Sequence, residues 1–142
     1  MQPQFVHLRM HSEFSVTDST VRLDSAIKAV KEQGVGALGL TDFNNIFGGL
    51  IFYTHARKAG LKPILGCDLV IENEADRDKP FRLAVLCQNK TGYLTLCELL
   101  SRAWLKNQYM GRGETKLQWL LESNEGLIIT SGGPEGQLAS LL

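Results

Sequence analysis

Short apolar runs alternate with helical periodicity along the whole chain. Phe5-Val6-His7-Leu8-Arg9-Met10 alternates apolar and polar side chains, the period of a strand. From Arg22 to Gln33, Leu23, Ala26, Ile27 and Val30 recur at helical spacing, and Gly34 falls where a helix C-cap belongs. Ala37-Leu38-Gly39-Leu40 predicts a short buried strand, followed by the turn chemistry of Thr41-Asp42-Phe43-Asn44-Asn45. Residues 48–59 predict a second helix ending at Gly60, and Lys62 to Ile71 a strand with Gly66 as a candidate bulge. The charged run Glu72 to Lys79 reads as a solvated loop. Phe81 to Cys87 predicts a strand, Tyr93 to Lys106 a helix, and Asn107 to Lys116 a mobile connection. Leu117 to Leu121 suggests a short helix, Gly126 to Ser131 a strand, and residues 137–142 the opening of a further helix.

The order βαβαβ(β)αβα predicts an α/β fold with a parallel sheet covered by helices. The runs 36–40 and 126–130 are apolar on both faces, as buried parallel strands are. About five strands are visible, whereas a closed (β/α) barrel takes roughly 250 residues. Residues 1–142 are therefore expected to be a fragment of something larger, with a complete small open α/β domain as the alternative.

Composition narrows the function. Fifteen Lys and Arg balance fifteen Asp and Glu, which argues against a free-standing nucleic-acid binder. No apolar run approaches the roughly 20 residues of a membrane helix, and residues 1–4 lack a signal-peptide pattern. A membrane partner is not expected. Cys67, Cys87 and Cys97 are odd in number, have no Cys-x-x-Cys spacing, and fit a reducing cytoplasm as small buried hydrophobes.

In parallel α/β folds the chemistry gathers where strands end. Arg9, His11 and Asp18 follow the first predicted strand, Asp42 the second, and Asp68 lies in the third. Arg82 opens the strand 81–87 and fits this rule least. Each residue also has an ordinary reading: a half-buried histidine for His11, and helix caps or turn residues for Asp18 and Asp42. His7 is expected to be structural, and His55 a solvated position on a helix.

Several segments resemble one family. Phe5 to Ser15 is similar to the opening of the PHP (polymerase and histidinol phosphatase) domain in the form found at the N-terminus of bacterial DNA polymerase III alpha subunits. Leu40-Thr41-Asp42-Phe43-Asn44-Asn45 resembles that family's Leu-Thr-Asp-His-Gly-Asn, and Gly60 to Asp68 its Gly-Ile-Lys-Pro-Ile-Ile-Gly-Cys-Glu. Asn89 to Tyr93 and Glu125 to Gly133 match two later signatures. The resemblance implies a distorted (β/α)7 barrel longer than this chain, of which residues 1–142 would be the N-terminal portion, with the polymerase palm, thumb and fingers lying outside it.

The resemblance also implies which positions hold metal. Members with an intact site carry histidines where this chain has Arg9, Phe43 and Arg82, glutamate at Asp68 and cysteine at Gly133; His11 and Asp18 match as they stand. Asp42 matches the motif's aspartate, taken as a neighbour of the ligand. Guanidinium, phenyl and glycine supply no metal ligand, so no metal is expected, and any residual site would use His11, Asp18 and Asp68. Two arginines among Asp18, Asp42 and Asp68 suggest a salt-bridge network in the metal's place. The plainer alternative has them facing solvent separately.

The expected function is a non-catalytic structural and interaction domain. Its parent would synthesise DNA with Mg2+ held in the palm. Its partners would be the proofreading exonuclease subunit, other polymerase III holoenzyme subunits, and DNA through the parent chain. No catalytic residue is expected in residues 1–142. A metal-dependent PHP phosphoesterase or exonuclease is the alternative, and the isolated piece is expected to self-associate through unpartnered strand edges.

Overall fold

The computed structural model describes residues 5–139. Among the described residues, six strands occur in chain order: β1 (Ala37–Leu40), β2 (Lys62–Ile71), β3 (Phe81–Cys87), β4 (Gln108–Tyr109), β5 (Arg112–Gly113) and β6 (Leu127–Ser131). The helices are α1 (Leu23–Glu32), α2 (Gly49–Ala59), α3 (Lys90–Lys106) and α4 (Leu117–Glu122), and a 3-10 turn spans Gly133–Glu135. Helix stops follow the glycines: Gly34 (φ +71°) follows α1, and Gly60 (φ +81°) caps α2. Asn89 caps α3 by accepting from Gly92 N at 3.0 Å.

The four-stranded sheet runs β1-β2-β3-β6 and is mixed, which corrects the expected parallel sheet. Only β1 and β2 are parallel; β2–β3 and β3–β6 are antiparallel. A parallel β2–β3 pair would need a long crossover, and the short charged loop between them permits only a reversal. The expected parallel strand 126–130 is accordingly an antiparallel edge, with Ile128 and Ile129 exposed. The predicted first strand is an extended segment instead. Gly39 N donates to His7 O at 2.7 Å and Thr41 N to Met10 O at 2.9 Å, but Met10 N turns to the Thr41 hydroxyl.

β2 is the pivot. Its residues 62–65 pair with β1, and residues 66–71 pair with β3. Gly66, at the changeover, is no bulge: a Cβ there would lie 2.3 Å from Val85 O. Alternation then separates the two faces of β2. Cys67, Leu69 and Ile71 join Val85, Leu96 and Leu100 in a core beneath α3, and Asp68 points to the other face. A second core packs α1 and α2 on β1 through Leu23, Ile27, Val30, Leu38, Leu40 and Phe52. Burial pushes the Cys67 thiol well up and the Cys87 thiol to about 11, in keeping with cysteines that act as hydrophobes.

The two loops expected to be solvated or mobile bind one another. β4 and β5 form a small hairpin that delivers Glu114, fully buried, to two guanidiniums. Arg77 Nη2 meets Glu114 Oε2 at 2.7 Å, and Arg112 Nε meets Oε1 at 2.9 Å. Tyr109 lies under both arginines, 4.4 Å and 5.4 Å from its ring centroid, and donates to Asp78 at 2.9 Å. The helix predicted over 137–142 falls partly outside the described residues.

Because no side-chain rotation relieves a Cβ pressed on a neighbouring carbonyl, Gly66→Ala is expected to destabilise the fold by about 1–3 kcal/mol. Chemical denaturation followed by circular dichroism would measure this, and an unchanged midpoint would contradict the close β2–β3 approach.

Candidate functional site

The antiparallel turn of the sheet explains why Arg82 belongs with residues from strand C-terminal ends. β3 runs opposite to β2 and β6, so its first residues lie beside their last ones: Arg82 opposite Val70, and Leu83 opposite Ser131. Asp68 pairs with Ala84, which places Asp68 and Arg82 on one face of the sheet. The backbone of residues 42–44 runs alongside, with Asp68 N donating to Asp42 O at 3.1 Å and Asn44 N to Asp68 O at 2.8 Å. That bridge sets Phe43 at the same mouth. Asn44 turns the chain away at φ +55°, in the left-handed region that asparagine tolerates.

Arg9, His11, Asp18, Phe43, Asp68, Arg82 and Gly133 all meet there. Asp68, with no exposed side-chain surface, receives Arg9 Nε at 3.1 Å (Oδ1) and 2.8 Å (Oδ2), and Nη2 at 2.7 Å. His11 Nε2 lies 2.7 Å from Asp68 Oδ2, and its Nδ1 3.5 Å from Asp18 Oδ2. Arg82 Nη1 stands 3.3 Å from Asp18 Oδ2, while its guanidinium lies 4.2 Å above the Phe43 ring. Polar contacts of His11, flanked by the Arg9–Asp68 and Arg82–Asp18 ion pairs and the Arg82–Phe43 cation–π contact, thus run continuously from Arg9 to Arg82.

Asp42 does not join them. It is buried and bound by Ser12 N at 2.6 Å, Ser12 Oγ at 2.7 Å and Ser15 Oγ at 2.7 Å. These neutral donors replace the expected arginine contact and fasten the 11–15 loop to the end of β1. Two participants were not anticipated. Glu135 Oε2 lies 3.1 Å from Arg82 Nη1, and Gly132 O accepts from Arg9 Nη1 at 3.2 Å. The signal was present in Gly132-Gly133-Pro134-Glu135, a turn directly after a strand, where the strand-end rule also applies. His7 is exposed and edge-on to Phe5, away from the cluster. His55 pairs with Asp24 at 2.5 Å, joining α2 to α1 at the surface.

The donor set does not fit a metal centre. Arg9 spans both oxygens of Asp68, and the two nitrogens of His11 serve different carboxylates from different edges of one ring. A metal ion here would first have to displace a guanidinium. Among the described residues, no three His, Cys, Asp or Glu side chains converge in a metal-binding arrangement.

Burial alone would raise the Asp68 pKa, but hydrogen bonds from His11 and Arg9, with their charge, outweigh it and lower the value. A carboxylate depressed in the folded state stabilises above its unfolded pKa of about 3.9, and that stability is lost as pH falls through the folded value. Asp68→Asn is therefore expected to flatten the acid limb of a stability–pH curve between about pH 5 and the folded pKa. Arg9→Ala should cost about 1–3 kcal/mol, less than a fully buried pair because Arg9 is partly exposed and His11 remains. A loss below about 0.5 kcal/mol would contradict the network.

The PHP domain family matches residues 7–142. The chain is 38% identical over 140 residues to the DNA polymerase III subunit alpha of Vibrio cholerae, covering 99% of this chain. It is 40% identical over 141 residues to that of Pasteurella multocida, again covering 99% of this chain. It spans about 12% of the length of these curated relatives. Among solved structures, an amidohydrolase from Chromobacterium violaceum, with bound sulfate and no metal, superposes with a TM-score of 0.54 at 16% identity. That likeness covers 69% of this chain and 32% of the other, and it concerns the fold alone. A family match over residues 7–142, nearly the whole chain, places it in the PHP domain family.

Proposed function

We propose that this chain is a non-catalytic structural and interaction domain of a DNA polymerase III alpha subunit. The observation that carries this reading is the Arg9 guanidinium held across both oxygens of buried Asp68. A fixed cation there does the electrostatic work of an ion and offers neither a bound water nor an open coordination position, which metal-assisted hydrolysis needs. About 40% identity to polymerase III alpha subunits supports the parent assignment. In that setting the parent performs DNA-directed DNA synthesis in chromosomal replication, with Mg2+ held in a palm outside this chain. The domain's role is to stabilise the polymerase and contribute to docking the proofreading exonuclease among the other holoenzyme subunits, in the cytoplasm. Among the described residues, no helix is long and apolar enough to cross a membrane.

Protein purified without chelator is expected to contain substoichiometric zinc and manganese, and to leave a chromogenic phosphate ester intact. Stoichiometric metal, with turnover abolished by His11→Ala, would establish the metal-dependent phosphoesterase or exonuclease reading instead. β6 presents its outer edge with Ile128 and Ile129 exposed, so the 142-residue chain alone is expected to self-associate. Light scattering that returns a monodisperse monomer would contradict this.

A further inference from the structure

Both arginines of the cluster also hold the turn that follows β6, a contact that neutralising Asp68 does not require. Arg9 keeps Nε and Nη2 on Asp68 and donates Nη1 to Gly132 O at 3.2 Å. Arg82 divides Nη1 between Asp18 Oδ2 at 3.3 Å and Glu135 Oε2 at 3.1 Å. Shape seats the same turn. Gly132 is buried, and a Cβ on it would lie 1.9 Å from Arg82 O. Gly133 takes φ +65°, and a Cβ there would stand 3.4 Å from Arg9 Nη1. Gly136 N closes the turn on Gly133 O at 3.0 Å.

We propose that Arg9 and Arg82 form a chain-exit clamp: residues 132–136 are latched by the same two cations that neutralise Asp68 and Asp18. The direction in which the backbone leaves β6 is then set electrostatically, and the acidic cluster and the exit turn are energetically coupled through shared guanidiniums. Glu135 is the positioning residue, acting on the turn through Arg82 and touching nothing in the buried centre. This inference rests on the scaffold reading, because a metal ion on Asp68 would free Arg9 from its place.

The test is hydrogen–deuterium exchange on the intact chain. Glu135→Gln is expected to speed exchange of the amides of residues 133 and 135–138 about twofold to fivefold, the size of a half-exposed ion pair, with amides 66–70 of β2 unchanged. High salt should produce the same local change in the parent sequence and little in Glu135→Gln. Arg82→Gln should loosen the same amides, and the double variant should fall short of the sum, since both changes remove one contact. Additive effects, or exchange at 133–138 unaffected by both single variants, would overturn the clamp. Glu135 is exposed, so its variant is expected to keep the fold, as circular dichroism would verify. Metal content of the same samples reports separately on the scaffold reading.

Discussion

A carboxylate without exposed surface stays ionised only where positive charge and hydrogen-bond donors replace the water it has lost. Asp68 is that carboxylate, and the mouth of the sheet is organised around supplying it. Arg9 reaches it from the extended N-terminal segment and His11 from the loop that follows, so a single side chain on β2 ties down a stretch far away in sequence. Removing the guanidinium would leave the buried carboxylate with His11 as its remaining ionisable partner, under-compensated for the water it has lost. The contact therefore governs how residues 9–15 sit on the sheet.

The sheet makes the arrangement possible by reversing direction at β3. In a wholly parallel sheet the start of a strand lies at the opposite end from the chemistry. Here the reversal brings Arg82 to the ends of β2 and β6, within reach of Asp18, Phe43 and Glu135. β6 forms an antiparallel edge of the sheet, and Ile128 and Ile129 on it are exposed.

The same physical solution recurs beside the C-terminal end of β2. Glu114 is buried between Arg77 and Arg112, and Asn107 joins by donating to Glu72 Oε2 at 2.7 Å and to Glu114 O at 2.9 Å. Two polar segments with little apolar content become ordered because each supplies the counter-charge the other needs. Thr115 then adds a parallel bridge to Ile71, extending the sheet's hydrogen bonding into the hairpin.

Hydrophobic periodicity and glycine placement were legible in the chain itself, because both are local: β2 and β3 span the predicted residues, and the helices end where Gly34 and Gly60 allow. Residue chemistry likewise marked Arg9, His11, Asp18, Asp42, Asp68 and, as the weakest fit, Arg82 as one group, since charged side chains at strand ends seldom gather without partners; Asp42 alone of these stands apart. Strand direction was not legible, because an apolar run such as 126–130 is the same whether its neighbour runs up or down. Nor was the pairing of charges. Asp42 and Asp68 are alike in sequence, yet one is satisfied by serine hydroxyls and the other by a guanidinium, according to which face of the folded backbone each occupies. Burial without a known partner is ambiguous in one dimension; only the three-dimensional path of the chain decides which donor arrives.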